Sequence, residues 1–415
     1  MDELFALEKQ TRLGNDVKAT EAVTTAIIEI CRSTNDWKLL NSNVLTISKR
    51  RGQLKQALTK IVRLCMTYID ETPNRDVKVE LIETLISVST GKMYVELERA
   101  RLTKLLAKIY EDEGKISQAA DALSEVQVET YGSMEKEEKT DYLLEQARLS
   151  MLKSDFVRAG ILSRKINLSV FENSSESWQQ LKLRYYDLMI SLHSHPGADN
   201  EEANRDLKLV ECYFAIFGTP IVRAEEEKWQ KALVASVCYV LTAWYEKDTA
   251  NWLQKLLQEK EMRFLPECNR LLQAFSTDEI LYFAKEKDSF EKLVKWAALS
   301  PTEMLELFSV RLSQHNMRVI AKCYEAVTMS RLCELVQLPL AEAEKVLSEM
   351  VVKKSVYARI NRPMGTVSFV KPLSPDECLN EWRSDVGALL SAVEKTCHVI
   401  NREYMIHRVL PDSTK

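Results

Sequence analysis

The side chains best suited to chemistry in this 415-residue chain sit in one short run, His193-Ser194-His195-Pro196. Two histidines one residue apart and then a proline match the opening of the HxHP zinc signature of metal-dependent hydrolases. There two imidazoles and a later aspartate hold the metal. That signature continues to a serine and an aspartate at fixed spacing. Here those places hold Asn204 and Leu207, and Asp206 misses by one. The preceding stretch, Leu181 to Leu192, has helical periodicity where the signature needs a strand. A motif counts only in its structural context, so this run is read as a polar loop between helices, and no zinc site is assigned.

Nucleophilic chemistry fares no better. A thiol hydrolase needs cysteine and histidine brought together on a turn or a helix N-terminus. Cys397-His398 are neighbours within a helical pattern and point to different faces. Cys65, Cys238 and Cys323 lie in apolar helical patterns, as core thiols do. No GK[ST] follows a glycine run, so there is no phosphate loop. The many carboxylates alternate with Lys and Arg, the pattern of solvated helix faces. No catalytic residue, cofactor site or metal ligand is assigned, and the chain is read as a non-enzyme.

Composition says what must position whatever function remains. Gly and Pro number 10 each, together about 5% where average usage is about 12%. Turns are built from these residues, so a β-rich fold would need far more of them. Long helices with short connections follow. The formal net charge of -4 offers no global field for nucleic acid or an anionic membrane. Met1-Asp2-Glu3-Leu4 lacks the start of a signal peptide. The longest apolar run, Ala232 to Tyr245, is too short to span a bilayer and reads as a buried helix. Nine scattered cysteines without a CxxC pair read as reduced thiols of a cytoplasmic or nuclear protein.

Four stretches share one layout, a polar turn followed by an apolar lead residue: Trp37, Val77, Ile116 and Phe156. A period near forty residues suits a two-helix repeat whose hairpins bury their faces only against neighbours. Residues 1–220 are therefore expected to form a right-handed helical-repeat solenoid. Within it, Val95, Leu102, Leu105, Leu106 and Ile109 are expected on one buried face. Residues 221–308 continue as helices, with Trp229, Trp244, Trp252 and Trp296 as packing residues and Pro301 in a first helical turn.

From Ser309 the pattern changes. Helices are expected over Ser309–Ala326, Met329–Val336 (with Thr328 as its cap) and Leu340–Lys353. Val356–Ile360 and Thr366–Val370 then alternate as strands around a loop containing Gly365. Three helices and a hairpin, residues 309–372, are the winged-helix order. Residues 373–415 hold a long helix, about Pro375 to Val409, with Trp382, Val386, Leu389, Val393, Cys397, Ile400 and Tyr404 in steps of three and four. The fold class is all-α with a small α+β end module.

Tyr324 to Phe369 resembles a PCI module, the helical and winged-helix domain of proteasome-lid, signalosome and translation-initiation scaffolds. The signs are Leu347…Met350-Val351-Val352 and Tyr357-Ala358-Arg359-Ile360-Asn361-Arg362…Gly365…Val367…Phe369. Lys92 to Lys104, Gln127 to Lys136 and Ser48 to Gln56 are similar to one family within it, the number-five non-ATPase subunits of the 26S proteasome regulatory lid. The likeness runs from about Leu7 to His407. Family members usually carry residues ahead of Phe5, so an N-terminal piece of the solenoid is expected to be missing here. They also open the third winged-helix helix with Ser or Thr, where this chain has Leu338-Pro339-Leu340.

The resemblance implies a TPR-like arm and a scaffold role in ubiquitin-dependent degradation, within a hetero-oligomer. The implied partners are other PCI-domain lid subunits, the metal-dependent deubiquitinase subunit, and ATPase or core subunits. Candidate contact residues are Tyr357, Arg359, Val367 and Phe369 on the hairpin and Trp382, Val386, Leu389, Val393, Ile400 and Tyr404 on the last helix. Tyr357, Ile360, Val367 and Phe369 also read as small-core residues, with the open edge of the hairpin as the surface for a neighbour's sheet. The last-helix stripe can be covered by its own chain or by partner helices. Scaffolds of the COP9 signalosome or translation initiation factor three share the architecture. A winged helix that reads nucleic acid is the rival of another class. Its recognition helix would open with Glu342, Glu344 and Lys345 and carry Glu349, with Lys353-Lys354 only at its end, and the three glutamates would oppose phosphates.

Overall fold

The computed structural model describes residues 2–172, 175–195, 202–372 and 374–407. Pro196, within the histidine run, lies outside them. Contacts divide the chain into two units, Met1–Ala243 with Leu293–Leu299, and Trp244–Lys292 with Ser300–Lys415.

The first unit is a succession of helical hairpins. Its helices are α1 (Asp2–Leu13), α2 (Val17–Ser33), α3 (Trp37–Lys49), α4 (Lys55–Tyr68), α5 (Arg75–Ser89), α6 (Glu96–Asp112) and α7 (Ile116–Ser124). There follow α8 (Lys136–Leu152), α9 (Phe156–Arg164), α10 (Glu176–Ser194), α11 (Glu202–Phe217), α12 (Pro220–Ala224) and α13 (Glu226–Thr242). Each packs mainly on its near neighbours in sequence, as a solenoid requires. The lead residues Trp37, Ile116 and Phe156 each open a helix, whereas Val77 lies two residues inside α5.

One turn recurs between these helices. Asn15, Asn35, Gly114 and Ser154 adopt left-handed backbone with φ of 54°, 53°, 76° and 66°. In each case the next residue's N–H reaches back into the preceding helix, as Asp155 does to the Ser150 carbonyl at 2.9 Å. This is the Schellman closure, and it satisfies carbonyls that a helix end would otherwise orphan. That next residue then starts the following helix. The Asp16, Asp36 and Asp155 carboxylates accept from the N–H groups of Ala19, Leu39 and Arg158 at 3.0–3.1 Å. A tight turn of two residues thus fixes each of these hairpins.

Buried residues along α2 to α6 form one core, including Ile27, Ile47, Ile61, Leu81 and Leu102. A second runs from Ala100 through Tyr142 to Tyr185. α13 is buried nearly all round, so its apolar run is a core helix. Among the described residues no helix is long and apolar enough to cross a membrane.

Several sequence expectations need correction. Leu105 is exposed, and α6 buries Ala100, Thr103 and Ala107 along with Leu102, Leu106 and Ile109. Not every carboxylate is solvated. Glu8 is fully buried between Arg12 and Arg50, and Glu98 is buried against Arg63 at 2.7 Å. Burial of a charge is tolerable only with such pairing. Trp296 is exposed at the end of its helix, and Cys323, Cys378 and Cys397 are exposed thiols, not core.

The second unit holds α14 (Lys247–Gln258), α15 (Pro266–Ser276), most of α16 (Phe283–Trp296) and α17 (Pro301–Cys323). Phe290 and Phe308 stack with centroids 4.0 Å apart at its centre. Asn316, almost wholly buried, receives the Leu281 N–H at 2.9 Å and donates to the Leu281 carbonyl at 2.7 Å. His315 beside it meets the Glu279 carbonyl at 3.1 Å and Arg318 at 2.9 Å. Two side chains of α17 thereby hold the loop that leads into α16.

Then come β1 (Ala326–Thr328), α18 (Met329–Val336), α19 (Leu340–Val352), β2 (Arg359–Asn361), β3 (Thr366–Ser368) and α20 (Pro375–His407). β3 lies between the other two, antiparallel to both, with Val327, Val367 and Ile360 in one row. The periodicity had carried the helix through Ala326, but α17 ends at Cys323 and Ala326 starts a strand. Thr328 stands at the start of α18 without a side-chain capping bond, its hydroxyl meeting Ser330 at 3.3 Å.

Candidate protein interfaces

The candidate residues fall on two elements of the second unit. On the sheet, the strand order leaves β1 and β2 as the edges, so Arg359 lies on an edge strand and is exposed. Tyr357, just ahead of β2, is 37% exposed. Val367 and Phe369 have to be withdrawn as partner contacts. Val367 is fully buried in the central strand, and Phe369 is buried while its N–H donates to the Glu325 carbonyl at 2.8 Å. Both belong to the buried core of this unit. The edge that sequence reasoning missed is β1, whose backbone shares the open-strand property with β2. Three residues are too few to show alternation.

α20 is the more informative element. It has 33 residues, about 50 Å at the usual rise per residue. None of its described side chains is buried. Trp382, Leu389 and Val393 are more than half exposed, and Val386, Ile400 and Tyr404 are also open. Leu379, Leu390, Val399, Met405 and Ile406, which the stripe did not include, are exposed as well. Most helical stability in proteins comes from packing an apolar face. A helix of this length with a row of exposed large apolar residues is a surface built to be covered.

A cleft of about 560 Å³ also opens in this unit, lined by apolar side chains such as Phe283, Val310 and Val346 and by Glu342, Lys345 and Glu349 of α19. Glu344 on the same helix accepts from Arg362 Nε at 3.0 Å. The exposed face of α19 carries Glu342 and Glu349 with Lys345 and no basic surplus, where a winged helix that reads DNA would direct this helix at phosphates.

The histidines of the zinc-like run are spread apart in role. His193 is buried within α10, and the His195 ring lies 4.6 Å from that of Phe156. α10 is helical up to Ser194, so the strand that the signature needs is absent there. Among the described residues no group of three or more His, Cys, Asp or Glu is placed to hold a metal ion. The buried thiols Cys65, Cys212 and Cys268 are each pushed up to about 12 by loss of solvent, which keeps them protonated.

A hairpin-repeat arm, a winged helix and an uncovered terminal helix define a class: helical scaffolds whose working parts are surfaces for other chains. Comparison with known proteins agrees and goes further. Residues 1–225 match the family model "PSMD12/CSN4, N-terminal", residues 287–371 the PCI domain, and residues 376–408 the "26S proteasome regulatory subunit RPN5 C-terminal domain". The chain is 40% identical to "26S proteasome non-ATPase regulatory subunit 12 homolog A" of Arabidopsis thaliana, over 98% of this chain and 97% of that one. It is 35% identical to "26S proteasome non-ATPase regulatory subunit 12" of Dictyostelium discoideum (99% and 90% covered). Identity is 33% to "26S proteasome regulatory subunit RPN5" of Saccharomyces cerevisiae (98% and 91% covered). The chain belongs to this family of 26S proteasome non-ATPase regulatory subunits, 12 in one naming and Rpn5 in the other.

Proposed function

We propose that this chain is the number-five structural subunit of the proteasome regulatory lid, without catalysis of its own. The observation that carries the reading is α20. Its exposed apolar row coincides with the segment that matches the RPN5 C-terminal domain. A row of this kind marks a surface that other helices would cover.

In this reading α20 joins the terminal helices of other lid subunits in a bundle. The β1 and β2 edges and the exposed Tyr357 and Arg359 lie against neighbouring PCI modules. The hairpin-repeat arm reaches ATPase or core subunits and helps to position the metal-dependent deubiquitinase subunit. The chain acts in the cytoplasm and nucleus. Its mechanism is geometric, since within each unit helices closed by short turns hold a surface in place for a partner. The exposed acids of α19 speak against the nucleic-acid reading, and the full-length relatives speak against a signalosome scaffold.

Reconstitution of a lid from co-expressed subunits tests the proposal. Omission of this chain is expected to stop assembly at a smaller subcomplex, and adding it back to restore the full one. A complete lid without it would overturn the reading.

A further inference from the structure

The hairpin repeat supplies an internal control for surface residues. Aligned on their lead residues Trp37, Ile116 and Phe156, α3, α7 and α9 carry Lys38, Ser117 and Val157 at the second position, all exposed. At the sixth they carry Ser42, Asp121 and Ile161, again all exposed. α3 and α7 keep these two outer positions polar, and α9 makes both apolar. Val157 is 68% and Ile161 51% exposed, four residues apart on one helix face.

A second observation lies on the same face. Gly160, three residues from Val157 and four from Arg164, interrupts a nine-residue helix. Glycine in a helix interior costs about 1 kcal/mol against alanine. Among the described residues nothing asks for it, since a methyl group there would touch nothing within 4 Å. A glycine kept where its own fold has room for a side chain suits the close approach of another backbone.

Charge then selects the occupant. α9 contains Arg158 and Arg164 and no acid, and both arginines are exposed. The acids around it are engaged: Asp155 accepts from the Arg158 N–H at 3.1 Å, Asp121 from Lys153 at 2.6 Å and Glu129 from Lys165 at 2.7 Å. The charge left for a visitor is positive. Val157 and Ile161 lie four residues apart beside the two arginines, a footprint that one helix with an apolar side and carboxylates fits better than a phosphate backbone, which has no apolar side to cover them.

From these three features together we infer that the outer face of α9 docks an acidic, amphipathic helix of another protein. Val157 and Ile161 cover its apolar side, Gly160 admits its backbone, and Arg158 and Arg164 meet its carboxylates. This goes beyond the lid reading, because it concerns neither α20 nor the winged helix.

The test uses the full-length chain in its own cells, with p-benzoylphenylalanine in place of Val157. The photo-adduct is then mapped by mass spectrometry. One protein segment is expected, with Asp or Glu and apolar residues at helical spacing. Gly160→Leu should melt no lower than the parent yet reduce the adduct on the order of tenfold by blocking approach. Should that variant fail to fold, the pair Arg158→Glu and Arg164→Glu decides, with a comparable loss expected from charge reversal. An adduct to lipid or nucleic acid, a basic partner segment, no protein adduct, or a yield unchanged by the decisive variant would each overturn the inference.

Discussion

Arg148 on α8 grips Glu111 on α6 through two parallel hydrogen bonds of 2.7 and 2.6 Å, across 37 residues of sequence. Arg101–Glu138 and Lys104–Asp141 span the same 37 residues, and Arg184 continues the row from α10 to Asp141 and Glu145. A repeat near forty residues brings equivalent helices side by side, so their charges meet at nearly constant separation. The result is a ladder of ion pairs along successive hairpins.

Arg148→Met is expected to cost about 1 kcal/mol, since each pair is partly exposed and a forked arginine contact is the stronger kind. In thermal melts that is a fall of roughly 2 °C for a unit of this size. The loss should shrink in 1 M salt, where the ladder is screened. The hydrogen bonds from Arg148 hold the Glu111 carboxyl below its usual range. Its contribution is therefore full above the unfolded carboxylate value and fades as pH falls through the folded one. A variant as stable as the parent at both salt levels would show the ladder to be ornamental.

The pH response of the second unit has a separate origin. Burial, and then the charge of Arg318, push the His315 imidazole down to about 4. The folded form binds the proton less well than the unfolded chain, whose value is near 6.5. Stability from the neutral ring is complete above about 6.5 and is lost as pH falls toward 4. Melting of wild type and His315→Gln between pH 7 and 4.5 checks this. Wild type should lose more stability across that window than the variant, and parallel curves would refute it.

The winged-helix sheet separates core from surface cleanly. Val367→Ala should destabilise the second unit by about 2 kcal/mol, as truncation of a fully buried side chain does. Arg359→Ala should leave stability within about 0.5 kcal/mol, as at an exposed site. Denaturant unfolding of the two variants measures both. Equal losses would mean that β2 is held by more than its strand pairing.

Trp382→Glu, Val386→Glu and Val393→Glu together are expected to leave circular dichroism of the isolated chain and its melting nearly unchanged, because those side chains touch no core. The same variant should fail to enter its assembly. Sedimentation of the complex reports this, and normal incorporation would remove α20 from the interface.

Much of this was legible in the sequence, for physical reasons. The repeat register showed because Trp37, Ile116 and Phe156 open their helices right after a polar turn, where one turn geometry imposes one residue pattern. The winged helix showed because α18, α19 and the hairpin loop carry strong local signals. The edge strand β1 did not, since Ala326–Thr328 is held by pairing with a strand nearly forty residues away. Trp296 and Cys323 misled because periodicity marks an apolar position without saying whether a neighbour covers it. Glu8 and Glu98 were missed for the converse reason, since Arg50 and Arg63, which cover them, lie 42 and 35 residues away in sequence. Among the candidate contacts, the α20 row could be read because nothing in the second unit hides it. Val367 and Phe369 could not be sorted from Tyr357 and Arg359, because alternation gives two faces and not which one is inward.

Intact-complex mass spectrometry of the tagged protein, purified from its own cells under native conditions, tests the central claim most directly. The account predicts co-elution with the other lid subunits and the proteasome ATPases, one copy of this chain per lid. Elution alone, or with signalosome subunits only, would contradict it.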